Sequence, residues 1–114
     1  MKQIKIRVKE GEKLIRTLEK ELKKRGITSA TIVSCVGALR EFEIITIYQK
    51  SKKIPPDHFA KKFKKKVELL ANGIVEKGRV HLHASLGAEG GKAFVGHLVE
   101  GVVTYFADTV FLVG

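Results

Sequence analysis

The chain has 114 residues, 22 Lys+Arg against 12 Asp+Glu, and a formal net charge of +10. That length supports one domain, residues 1–114, with one hydrophobic core, and a hydrophobic content of 44% excludes a disordered polycation. No apolar run reaches the roughly 18 residues of a membrane-spanning helix, and the lone cysteine, Cys35, excludes an internal disulfide framework and a Cys-based zinc finger.

The start, MKQIKIRVKEGEK, alternates charge with apolar residues and lacks a secretory apolar region. The expectation is a cytoplasmic domain with no membrane partner. Scarce Asn and Gln beside abundant Lys and Glu lean towards a thermophile. The charge is unevenly spread. Residues 1–25 carry +6, residues 26–49 carry −1, residues 50–66 carry +7 and residues 67–114 carry −2. An electrostatic partner would meet the two basic segments.

In chain order, Ile4, Ile6 and Val8 alternate with charge and predict a half-buried strand over 3–8. Residues 12–25 predict an amphipathic helix. Leu14, Ile15, Leu18 and Leu22 fall on one face, and Glu12/Arg16, Glu19/Lys23 and Glu21/Arg25 stand at i,i+4 spacing. Gly26 supplies the stop. Residues 28–36 are uncharged and β-branched, which suits a strand ended by Gly37-Ala38, and 41–49 predict its antiparallel neighbour. Pro55-Pro56 places 50–58 in a loop. Residues 59–66 fit either a helix start or a strand edge blunted by lysine. Strands follow over 67–75 and 79–86, around the turn at Glu76-Lys77-Gly78. The glycine-rich segment 87–96 reads as a loop, and 98–106 and 109–113 as closing strands. The pattern is an α+β single domain. It has a mostly antiparallel sheet and one main helix near the N-terminus, in β-α-β-β-β-β-β-β order.

His81 and His83 lie two apart on a predicted strand, so they share a face about 6.5–7 Å apart at Cα. His97 follows the glycine-rich segment and can supply a third ligand. Three imidazole nitrogens with a fourth position open to water form a catalytic-type zinc arrangement, although nickel, iron or copper also fit. The same pattern suits three ordinary sheet histidines bonded to carbonyls or carboxylates. Gly87-Ala88-Glu89-Gly90-Gly91 lacks the rest of any phosphate-loop fingerprint. Cys35 in an apolar strand reads as a buried, inert thiol. Lys50, Lys52, Lys53, Lys61, Lys62, Lys64, Lys65 and Lys66 can track phosphates, but they include no Arg for bidentate base reading. They equally suit a solvated edge.

Several blocks carry a family resemblance. They are Lys-Lys-Arg-Gly-Ile at 23–27, Val36-Gly37-Ala38-Leu39, and Val67-Glu68-Leu69-Leu70-Ala71-Asn72-Gly73. The two most specific are His81-Leu82-His83-Ala84-Ser85-Leu86-Gly87 and Gly96-His97-Leu98-Val99-Glu100-Gly101. From Leu14 to Val113 the chain resembles the plant- and prokaryote-conserved (PPC) domain in its stand-alone archaeal or bacterial form. The resemblance implies a homotrimer. Plant members bind AT-rich DNA through AT-hooks, and no such hook occurs here. The fold is similar to that of acetolactate decarboxylases, whose zinc ligands match His81, His83 and His97, while that family's catalytic carboxylates and arginine have no located counterparts. The expectation is therefore a trimer with a three-histidine zinc site. The alternatives are DNA binding through Lys50–Lys66, a metal-free assembly module, and a zinc-dependent lyase-like enzyme with unknown catalytic residues.

Overall fold

The computed structural model describes residues 1–47 and 49–114. Its elements are β1 (Lys2–Lys9), α1 (Leu14–Lys24), β2 (Ala30–Ile47), β3 (His58–Phe63), β4 (Val67–Glu76), β5 (Arg79–Gly87), a short 3-10 turn (Glu89–Gly91) and β6 (Ala93–Val113). The α+β class and the antiparallel sheet are as the sequence predicts. All strand pairings are antiparallel, in the order β1-β6-β5-β4-β2-β3, and β6 also pairs with β2. That extra pairing rolls β2, β4, β5 and β6 into a closed barrel. β1 extends β6, and β3 extends β2.

Two pairs of expected strands are single strands. Residues 30–36 and 41–47 are not neighbouring strands but parts of β2, and 98–106 and 109–113 are parts of β6. Gly37 does not end a strand. It sits at an irregularity in the β2–β6 ladder, where any Cβ would collide with the Phe106 carbonyl. The expected loop 87–96 shrinks to the turn around Glu89–Gly91, with β6 starting at Ala93. Segment 59–66 resolves as the lysine-bearing edge strand β3 rather than a helix. Tyr48 and its part in the predicted strand 41–49 lie outside the described residues.

Helix α1 turns Leu14, Ile15, Leu18 and Leu22 into the core, packing against β1, β5 and β6. They meet Ile6, Val8, Ile32, Leu39, Leu82, Leu86, Leu98, Val103 and Phe111, all buried. The helix ends as predicted: Gly26 adopts φ +66°, and the Ile27 and Gly26 N–H groups donate to the Leu22 and Lys23 carbonyls at 3.0 and 3.1 Å.

None of the three expected i,i+4 ion pairs forms among the described residues, because the carboxylates have partners elsewhere. Glu12 accepts from the Lys9 N–H at 2.8 Å. Glu19 accepts from the Val80 N–H at 2.9 Å, and Glu21 pairs with Lys24 at 3.2 Å. Glu100, a distant β6 residue, serves the helix N-terminus, which has no acidic residue of its own in its first turn. Its carboxylate accepts from the Ile15, Arg16 and Gly101 N–H groups at 2.8, 3.1 and 2.9 Å.

Candidate functional site

Strand β5 alternates cleanly. Val80, Leu82, Ala84 and Leu86 point inward and are buried, while His81, His83 and Ser85 point outward. In the β4–β5–β6 register, Asn72 lies opposite His83, and His83 opposite His97; Ile74 lies opposite His81. The sequence-predicted trio therefore shares one outer face. The ring centres of His81 and His97 are 6.2 Å apart, and those of His83 and His97 are 5.8 Å apart.

Glycine shapes this face from below. A Cβ at Gly73 would collide with the His81 carbonyl, so the absent side chain lets β4 approach β5 directly behind the histidines.

His97 is half-buried and its imidazole is pushed below its ordinary pKa. Burial is the main cause, followed by repulsion from His83, His81 and His58. His97 is therefore neutral at pH 7, the form that ligates metals. The same interactions reveal that the fourth histidine belongs to this face. His58 opens β3 opposite Ile47, while Ile45, two residues back on β2, lies between Ala60 of β3 and His97 of β6. Sequence spacing could not bring His58 here, because its place depends on the β2–β3 register.

Three imidazoles bound tetrahedrally at a Zn–N distance of 2.0–2.1 Å put their ring centres about 5 Å apart. The observed separations exceed that by roughly 1 Å, and among the described residues no three His, Cys, Asp or Glu side chains form a closed ligand set. The donor set suits a borderline metal, with three nitrogens and one ring held neutral.

Rows of apolar side chains flank the histidines. Val33, Leu70, Ile74 and Val95 are 48%, 62%, 48% and 58% exposed. Cys35 is fully buried as expected. It accepts a hydrogen bond from the Thr109 hydroxyl at 3.2 Å, and burial pushes its thiol up to about 11.

Lys50, Lys52, Lys53, Lys61, Lys62, Lys64, Lys65 and Lys66 are all exposed, along β3 and its flanking loops. Several are already engaged. Lys53 pairs with Asp57 at 3.6 Å, and the Lys61 and Lys65 ammonium groups stand over the Phe63 and Phe94 rings at 5.2 and 6.0 Å. Phe63 stacks on Phe42 with ring centres 5.1 Å apart, so it serves packing rather than base stacking. No helix among the described residues is long and apolar enough to cross a membrane.

Known structures share this fold. A PPC protein from Pyrococcus horikoshii superposes with a TM-score of 0.85 at 30% identity, over 100% of this chain and 80% of that one. A metal-containing protein from Archaeoglobus fulgidus gives 0.78 at 25% identity, over 100% and 81%. A candidate DNA-binding protein from Bacteroides thetaiotaomicron gives 0.82 at 21% identity, over 97% and 78%, and at that identity shows the fold alone. Comparison with the curated proteins gives no match. Residues 1–113 match the profile of the Plants and Prokaryotes Conserved (PCC) domain, the family called PPC above, and the chain belongs to that family.

Proposed function

We propose that this protein is a self-associating metal-binding module whose ligands are His81, His83 and His97. The observation that carries the reading is the convergence of three imidazoles on one outer face, at ring separations of 5.8 and 6.2 Å. The metal-containing relative from Archaeoglobus fulgidus supports it. Zinc is the favoured ion, because three imidazole nitrogens with an open fourth position suit it. Such an ion would supply Lewis-acid polarisation of a bound carbonyl or phosphoryl oxygen. The chain's own contribution is to hold His97 neutral and to set Asn72, Ser85 and exposed apolar side chains beside the trio on the same open face.

Elemental analysis of protein purified without chelator tests this reading, followed by Zn²⁺ titration. The expected result is one ion per chain, lost in His83→Ala. Less than about 0.2 ion per chain, unchanged by added Zn²⁺, overturns it, since a built site of this kind fills.

The exposed apolar rows beside the histidines support assembly as a homotrimer, because association would cover Leu70, Ile74 and Val95. Light scattering at the mass of one chain would refute that part.

A second reading is nucleic-acid binding through the Lys50–Lys66 stretch. It is favoured by the exposure of all eight lysines and by the fold shared with candidate DNA-binding proteins. Affinity for duplex DNA should then fall steeply with salt. No binding at 50 mM NaCl would remove it.

A further inference from the structure

The other basic segment, residues 1–25, finds no role in either reading. Three of its ten basic side chains line a groove of ≈ 580 Å³ between α1 and the β4–β5 turn. One wall is a stripe on the helix, Arg16, Lys20 and Lys23. At i, i+4 and i+7 these residues lie within about 60° of one another around the axis and span about 10 Å along it. The opposite wall is Lys77, and Ile27 contributes a half-buried apolar side chain.

Three observations make this groove more than a solvated surface. First, Arg16, Lys20, Lys23 and Lys77 have no carboxylate partner within salt-bridge distance among the described residues. Second, the one acid in the groove is spent. Glu19 accepts from the Val80 N–H at 2.9 Å and faces the Arg79 guanidinium at 3.4 Å, so it is not free to neutralise the lysines. Third, the walls are tied together, since the Gly78 N–H donates to the Thr28 carbonyl at 2.9 Å. Lys77 and Gly78 have φ of +52° and +76°, the signs of a type I′ hairpin turn. Asn or Gly is the ordinary choice at the first of these positions. A lysine there carries a backbone cost and places a cation opposite the helical stripe.

The lysine stretch at 50–66 differs in kind. It runs along an open edge, and Lys53, Lys61 and Lys65 already have internal partners. A regular row of unpaired cations facing a fourth across a groove complements a chain of evenly spaced anions.

We propose that the groove between α1 and the β4–β5 turn grips the phosphodiester backbone of nucleic acid. The inference rests on the nucleic-acid reading above and gives it a different contact surface. Binding there is independent of sequence, because no groove residue is placed to read base edges.

The test compares two triple variants that lose the same charge from different places. Arg16→Gln/Lys20→Gln/Lys23→Gln empties the groove wall, and Lys61→Gln/Lys62→Gln/Lys65→Gln empties the edge. Both are measured by fluorescence anisotropy with a labelled 20-base-pair duplex, between 50 and 200 mM NaCl. Thermal melts confirm that both variants fold.

The groove variant should bind about 100-fold more weakly at 0.1 M NaCl. Its log–log salt slope should be shallower by about 2–3, as each lost phosphate contact removes roughly 0.9. The edge variant should weaken several-fold at most. Lys77→Asn should add to the loss without destabilising the turn.

Equal losses in both triples would mean that only net charge matters, and would overturn the groove. A loss confined to the edge triple overturns the groove and leaves the nucleic-acid reading standing. If the parent protein binds no duplex at 50 mM NaCl, the reading itself fails and takes the groove with it. Binding to phosphatidylserine vesicles in place of the duplex overturns both.

Discussion

The two faces of strand β5 are built from adjacent residues and obey different rules. Its even-numbered side chains, Val80 to Leu86, fill the core under α1, where shape and volume decide. Its odd-numbered side chains carry His81, His83 and Ser85 into the open, among apolar neighbours that nothing in a single chain covers. The inner face is complete within one chain. The outer face is where the proposed ion and a second copy would sit. The difference teaches that residues committed to the core alternate, one by one, with residues left free to meet a ligand or partner.

The strongest way to break that separation is to cut the inner face. Leu18, fully buried on α1, should cost about 2–5 kcal/mol when replaced by alanine, as measured by urea unfolding. An outcome near zero would mean that the helix is not part of the core.

Glu100 sits on the boundary. Its carboxylate accepts from three backbone N–H groups that join α1 to β6. Glu100→Gln removes the charge at the helix N-terminus and should cost about 1–3 kcal/mol. It should leave Zn²⁺ binding unchanged, because it acts on the inner side.

On the outer face, Leu70→Ser should change the unfolding free energy of a dilute single chain by no more than about 0.5 kcal/mol. The same variant should weaken self-association seen by sedimentation. Equal association in parent and variant would remove Leu70 from any interface.

The smallest effect comes from pH. Arg7 holds the Asp108 carboxyl below its ordinary value through a hydrogen bond and its charge. The Tyr105 N–H and Thr104 hydroxyl do the same for Glu10. Both groups have a lowered pKa in the folded state. Their stabilisation is therefore present above the ordinary values of 3.8 and 4.5 and is lost as pH falls through the lowered ones. The urea midpoint should decline modestly as pH falls below 6.5, because folding holds His97 below its ordinary value, and drop further below about 4. Asp108→Asn should reduce that drop, and an unchanged profile would exclude Asp108 as a contributor.

Much of the inner face was legible in the sequence, because β1, α1 and β5 each show a clean period of two or 3.6; for β4, where Leu70 and Ile74 break the alternation, the family pattern favoured strand over helix. The long strands β2 and β6 were not. Gly37 looks like a stop in one dimension, but here it permits close contact between two strands. The helix carboxylates misled for a related reason. Local spacing offers Glu12, Glu19 and Glu21 partners one turn away, yet in the folded chain Glu12 and Glu19 bond backbone N–H groups and Glu21 pairs with Lys24. Backbone donors at ends and turns that lack a partner outcompete an exposed cation. On the outer face, His81 and His83 were legible from their alternation, and His97 from its place after the glycine-rich segment, with the family pattern in support. His58 depended on strand register, which only the fold supplies.

Strand β6 pairs with β1, β2 and β5. It is also synthesised after all of them. On a translating ribosome, three strands must therefore wait with unpaired edges until the last of their partners emerges. Contacts such as Lys2 with Val113 span nearly the whole chain, which makes closure slow relative to local helix formation. During that interval the nascent sheet is open to pairing with its neighbours on the same messenger. The charge on Lys5, Arg7 and Lys9 of β1 then acts as a guard as well as a surface. It keeps a waiting edge in solution until β6 arrives.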